Sequence, residues 1–211
     1  MVSSSGQPGL FLAFEGGEGS GKSTQTRLLG EWLTRQGREA VLTREPGGTD
    51  VGAALRRILL DPATGELSAR TEALVYLADK AEHVDHLIVP ALERGAVVVT
   101  DRYVDSMLAY QGAGRALSVA ELDPIAHWAT AGLRPDLTIV LDVDPTIGLA
   151  RAGAPDRIEA EPLAFHERVR DHFLALAAAE PGRYVVISAA QTPDQIAGQI
   201  REAVTPWLAR A

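Results

Sequence analysis

The 211-residue sequence predicts an α/β fold: a mainly parallel sheet of about five strands with helices on both faces. Three observations carry the prediction. Short apolar runs alternate along the whole chain with longer segments of helical spacing. The run AVVVT, Ala96 to Thr100, is continuous and β-branched, as in a parallel strand covered on both faces. A glycine-rich loop also joins the first apolar run directly to the first helical segment. With 46% hydrophobic residues the chain is long enough for one sizeable core and short for two, so residues 1–211 are read as a single domain.

The elements follow in order. Leu10 to Glu15 (LFLAFE) is the first strand, and Ser23 to Gln36 a helix with Leu28, Leu29, Trp32 and Leu33 on one side. Ala40 to Thr43 is a second strand. Thr49 then caps a helix whose stripe is Val51, Leu55, Ile58 and Leu59. Leu67 to Glu93 reads as one long helix ended by Gly95, and Ala96 to Thr100 as a strand with Asp101 following it. A short helix near Asp105 to Tyr110 and another over Ser118 to Ala131 precede the strand Leu137 to Asp142. Helices at Pro145 to Arg151 and Glu161 to Glu180, the strand Tyr184 to Ser188 and a helix from Pro193 to Ala209 complete the chain. In such a sheet, ligands gather outside the carboxyl ends of the strands.

Composition narrows the function. The net charge of −8 argues against a nucleic-acid surface, so any phosphate binding is local. The absence of cysteine excludes disulfides, thiolate zinc sites and cysteine nucleophiles, and fits a reducing compartment. MVSSSGQPG carries no positive charge and LFLAF is too short for a signal or a span; the start reads as frayed and the protein as cytoplasmic, with no membrane partner. His83, His86, His127, His166 and His172 show no metal-ligand pattern.

Gly16, Gly17, Glu18, Gly19, Ser20, Gly21, Lys22 and Ser23, followed by Thr24, fit G-x-x-x-x-G-K-[ST] between a strand and a helix. Glycines let successive backbone N–H groups surround a phosphate, and the helix N-terminus adds partial positive charge. Lys22 reaches the outer phosphates and the Ser23 hydroxyl can ligate Mg²⁺. Nucleoside triphosphate binding follows. A guanine reader of the N-K-x-D type is excluded, because the chain has no asparagine.

Four further stretches fall near predicted strand ends: TREPGGT (43–49), LVYLADKAEHV (74–84), DRYVDSMLAYQG (101–112) and DRIE (156–159). With the phosphate loop, in this order and at these distances, they resemble the bacterial thymidylate kinases of the P-loop nucleoside monophosphate kinase family, from Leu10 to about Leu208. The resemblance implies a three-layer P-loop kinase fold with a short lid at approximately 151–160. It also implies a homodimer, ATP and dTMP as substrates, and Mg²⁺.

The resemblance also implies roles. Arg102, at a strand end, grips the acceptor phosphate with two N–H bonds; Arg56 is either a second clamp or part of a solvated helix face. Tyr76 stacks on the base, although on its apolar stripe it reads equally as core. Gln111 reads the pyrimidine N3 and its adjacent carbonyl, Tyr110 crowds the sugar 2′ carbon, and Glu45, Pro46 and Ser106 complete the substrate pocket. Lys80 stands where relatives usually have arginine and is expected to donate to a base carbonyl; Met107 replaces a small polar residue of some relatives. Ser23, Asp101 and Glu15 are the candidate Mg²⁺ residues.

Phosphoryl transfer to a monophosphate needs cations and in-line geometry rather than a base. Some relatives place an arginine where this loop has Glu18, which is expected to touch the acceptor sugar, position the lid or face solvent. The extra cation is then expected from Arg151 or Arg157 in LARAGAPDRIE, where Gly153 and Pro155 suit a flexible loop; Arg157 could instead pair with Glu159 or Glu161. Rival readings are a dUMP or deoxynucleoside kinase, with Glu45 or Asp101 as base, and a non-catalytic nucleotide switch.

Overall fold

The computed structural model describes residues 9–115, 117–151 and 156–210. The start of the chain and the loop glycine and proline at 153 and 155 lie outside this range. Five parallel strands, β1 (Leu10–Glu15), β2 (Ala40–Arg44), β3 (Val97–Asp101), β4 (Leu137–Asp142) and β5 (Tyr184–Ser188), lie in the order β2-β3-β1-β4-β5.

The sequence pattern explains the layering. Every residue of β1 is buried, and alternate side chains enter different cores. Leu10, Leu12 and Phe14 pack with Leu29 and Leu33 of α1 (Lys22–Arg35) and with Ile196, Ile200 and Val204 of α9 (Pro193–Leu208). Phe11 and Ala13 point to the other face, against Val84, Ile88 and Ala91. On that second face Val140 and Tyr184 meet Phe165, Val169 and Phe173 of α8 (Leu163–Ala179).

The helix expected over Leu67 to Glu93 is α3 (Ala69–His83), a π-helical turn (Val84–Ile88) and α4 (Val89–Glu93). Pro90 explains the wider turn: it has no N–H and its ring crowds the carbonyl one turn back. The short helix near Asp105 likewise begins as α5 (Val104–Met107) and widens into a π-helical segment, Leu108–Gly114. The remaining helices are α2 (Asp50–Leu60), capped by the Thr49 hydroxyl on the Gly52 N–H at 2.9 Å, α6 (Val119–Ala129) and α7 (Pro145–Arg151). Among the described residues no helix is long and apolar enough to cross a membrane.

Connections from β1 run to β2 on one side and from β3 to β4 on the other, so the strand order reverses beside β1. Register places the ends of β2, β3 and β1 level: Arg44 beside Asp101, and Asp101 beside Phe14. A crevice at a reversal point is where an open parallel sheet holds its ligands.

Candidate functional site

The loop between β1 and α1 is shaped by two close backbone approaches. Gly16 (φ 130°) would put a Cβ 2.4 Å from the Leu141 carbonyl oxygen, and Gly19 (φ 62°) would put one 2.0 Å from that of Gly148. Only glycine fits either place. Gly16, Gly17 and Ser20 form the floor, with the Ser20 hydroxyl donating to the Gly17 carbonyl at 2.8 Å. Glu18, Gly19, Gly21, Lys22, Ser23 and Thr24 line a cavity above it. The Lys22 ammonium donates to the Gly17 and Gly16 carbonyls at 2.8 and 3.1 Å. Burial, then the neighbouring Arg102, pull its pKa below the ordinary lysine value.

Ser23 Oγ donates to Asp101 Oδ2 at 2.7 Å. Two hard oxygen donors thus meet at the loop mouth, the chemistry that suits Mg²⁺, which takes few protein oxygens and fills its shell with phosphate and water. Glu15, grouped with them from sequence, is set apart. It is fully buried, and its oxygens accept from the Tyr103 N–H (2.8 Å), the Ser106 N–H (3.1 Å) and the Ser106 hydroxyl (2.5 Å). Burial, then Asp105, raise its pKa to about 7. Glu15 therefore props the start of α5, because its side chain enters the protein rather than the crevice.

A second cavity adjoins the first. Its lining includes every residue expected to hold the acceptor: Glu45, Pro46, Arg56, Tyr76, Lys80, Arg102, Ser106, Tyr110 and Gln111, together with Met107. Glu18, Glu45, Arg56 and Arg102 line both cavities and form the shared wall.

Arg102 is the centre of that wall. Its φ of 73° is rare for a residue with a side chain, and it is held by its N–H on the Phe14 carbonyl (2.8 Å) and its carbonyl under the Thr100 hydroxyl (2.8 Å). The guanidinium donates to Glu18 (2.5 Å), the Gly16 carbonyl (3.1 Å) and Ser106 Oγ (3.1 Å), and lies 4.9 Å from the Tyr110 ring centroid. Glu18 also accepts from the Tyr110 hydroxyl at 2.7 Å. Burial alone would raise the Glu18 pKa, but Arg102 and then Lys22 outweigh it and hold the carboxyl at about 2. The loop glutamate is thus the partner of the acceptor-side arginine.

Two expectations about cations change. The Lys80 ammonium is buried, bonded to Glu45 and to the Tyr103 carbonyl at 2.8 Å, so most of its donor capacity is spent inside the protein. Glu45 also receives His83 Nδ1 at 2.8 Å, and His83 Nε2 meets the Thr43 hydroxyl at 2.7 Å. This network fixes the TREPGGT stretch, whose Glu45–Pro46 peptide bond is cis. Burial pushes the Glu45 pKa up, yet Lys80 and His83 bring it below the ordinary value. Arg56 is not on a solvated face: it donates to the Pro46 carbonyl at 2.9 Å from the shared wall.

The expected lid spans residues outside the described range, but its flanks differ. Arg151 lines the loop cavity and donates to the Gly19 and Ala189 carbonyls at 3.4 and 3.3 Å. Arg157 lines neither nucleotide cavity; it is bonded to Glu72 and to the Leu59 carbonyl at 2.8 Å, and shares a separate cavity with Glu161 without an ion pair to it. Asp156 organises the turn after it, its Oδ1 accepting from the Ile158 and Glu159 N–H groups at 2.8 and 2.9 Å.

The family model for thymidylate kinase matches residues 14–200. The thymidylate kinase of Cutibacterium acnes is 54% identical over 202 residues, covering 96% of this chain and 99% of that protein. That of Synechococcus sp. (strain JA-2-3B'a(2-13)) is 51% identical over 201 residues, 94% of this chain and 96% of its own.

The chain belongs to the thymidylate kinase family.

The crystal structure of thymidylate kinase from Ehrlichia chaffeensis superposes with a TM-score of 0.79 at 30% identity, covering 94% of this chain and all of that one. This chain has the P-loop kinase fold in common with that thymidylate kinase. The sequence reading did not single out Leu60, Tyr103, Asp156, Ile158 and Glu159 of the acceptor cavity, nor Arg44 and Glu72. Arg44, in the quoted TREPGGT stretch, ends β2 and lines the loop cavity; its signal was its place at a strand end. Glu72 joins Gln111, Arg115 and Arg157, which lie 39, 43 and 85 residues away, so no local spacing could reveal it.

Proposed function

We propose that this chain transfers the γ-phosphoryl group of ATP to dTMP, forming dTDP. One observation carries the reading: the phosphate-loop cavity and the cavity of Tyr76, Tyr110 and Gln111 share a wall made of Arg102, Arg56, Glu18 and Glu45. Two nucleotides seated in them meet phosphate to phosphate. The loop N–H groups, the α1 N-terminus and Lys22 hold the triphosphate. Arg102 and Arg56 hold the acceptor phosphate in line, and Arg151 and Arg44 add positive charge from the donor side. When bound, Mg²⁺ is held by Ser23 and Asp101 and neutralises charge on the phosphate oxygens.

A phosphate monoester loses its second proton at about pH 6, so the attacking oxygen is already ionised at neutral pH and no base is needed. A deoxynucleoside acceptor would need one, and Glu45, engaged by Lys80 and His83, is poorly placed to take a proton. Exposed Leu74 on α3 and Trp128 on α6, 61% and 81% accessible, on two helices that pack together, support a homodimer through these helices. The net charge speaks for small-molecule substrates rather than nucleic acid, and the cysteine-free chain for the cytoplasm.

The test is ADP release, coupled to a reporter, with dTMP, dUMP, dCMP and thymidine. The expected order puts dTMP first; faster turnover of thymidine would make this a nucleoside enzyme. Base stacking has its own check. Tyr76→Phe is expected to leave the dTMP KM within about twofold, whereas Tyr76→Ala raises it about 5- to 150-fold, as the loss of a stacking contact of ~1–3 kcal/mol requires. Equal KM values for the two variants would refute stacking.

A further inference from the structure

We infer that Glu72, which does not line either nucleotide cavity, sets base selectivity by holding the Gln111 amide with its carbonyl turned toward the acceptor base. The inference rests on the reading of Gln111 as the residue that meets the pyrimidine N3. Both side chains are buried, Glu72 completely and Gln111 to 1% exposure. Gln111 Nε2 donates to Glu72 Oε1 at 2.9 Å. Arg115 Nε shares that oxygen at 3.1 Å, while Arg115 Nη2 (3.3 Å) and Arg157 meet the other. Burial would favour the protonated acid, but the Arg115 and Gln111 hydrogen bonds outweigh it, so Glu72 is held in its ionised form.

An ionised carboxylate only accepts hydrogen bonds. Were the Gln111 amide reversed, its oxygen would face the Glu72 oxygen at hydrogen-bond distance, with no proton between two buried acceptors. The amide is therefore locked: nitrogen toward Glu72, oxygen toward the cavity. An oxygen there requires an N–H on the ligand. Thymine and uracil carry a proton on N3; cytosine presents a lone pair and is refused. The placement is shared with stacking, because Glu72 lies one helical turn before Tyr76 on α3, and one element so positions both contacts to the base. Selectivity for an N3–H base is thus written into a residue that never touches the base.

Glu72→Gln tests this, since a neutral amide at 72 can donate to the Gln111 oxygen as well as accept from its nitrogen, and so permits both orientations. The ratio of kcat/KM for dTMP to that for dCMP is expected to fall about tenfold or more, through a higher dTMP KM and a lower dCMP KM, with kcat for dTMP within about threefold of the parent. A variant with lower activity or melting temperature but an unchanged ratio would mean that Glu72 is only a structural tie, and would overturn the inference. Should the single substitution prevent folding, Glu72→Gln with Arg157→Met removes the cation that, among the described residues, pairs with no carboxylate but Glu72, and the same change in ratio is expected. Gln111→Ala separates the two layers. If it raises the dTMP KM while the Glu72 variants keep the ratio, the inference fails alone; if it leaves the dTMP KM unchanged, the reading of Gln111 fails and the inference with it.

Discussion

Arg102→Ala is expected to lower kcat/KM for dTMP by about 10³-fold or more, equivalent to ~4 kcal/mol of transition-state stabilisation, with the ATP KM moving no more than about fivefold. The guanidinium stands on the wall between the cavities, where the transferred group must pass, and its planar fork can meet two phosphate oxygens at once. Removing it also leaves Glu18 facing the acceptor phosphate as an unpaired anion, since Arg102 is the main cause of that carboxyl's low pKa. Glu18 then repels what Arg102 attracted. Arg102→Lys keeps the charge without the fork and is expected to fall between parent and alanine variant, at about 10²-fold loss. Steady-state kinetics with each substrate varied in turn decides the matter. Loss of ATP and dTMP use in equal measure would show that Arg102 belongs to the donor site alone.

Lys22→Met is expected to reduce kcat by about 10³-fold while dTMP binding, followed by calorimetry, changes less than about threefold. The methionine keeps most of the apolar stem and removes the buried ammonium that bridges the Gly16 and Gly17 carbonyls. The expected loss rests on that ammonium leaving the carbonyls for the phosphate oxygens, where charge shifts during the reaction. A kcat loss below tenfold would assign Lys22 to shaping the loop, and the arginines would then carry the charge.

The central part of this site was legible because its residues are close in sequence and at element ends. The phosphate loop follows β1 without a gap, and DRYVDSMLAYQG delivers Arg102, Ser106, Tyr110 and Gln111 from one strand end and one helix. Glu15 was grouped with the Mg²⁺ candidates for the same reason: adjacency to the loop suggested the crevice, whereas side chains alternate along a strand, and Glu15 enters the protein to meet Tyr103 and Ser106. Lys80 was read as a base contact because a stripe of apolar positions shows which helix face is buried, not which buried acceptor lies opposite it.

The amino-acid order alone determined the five strands, their parallel arrangement and the phosphate loop, since these depend on local periodicity, turn chemistry and a short motif, while the expected acceptor-cavity residues came through the family resemblance. Tertiary structure decided how the charges pair. Glu18 with Arg102, Glu45 with Lys80 and His83, and Glu72 with Gln111, Arg115 and Arg157 join residues 35 to 85 positions apart. Such partners have no spacing rule, because an ion pair is selected by distance in three dimensions and by the cost of burying either charge alone.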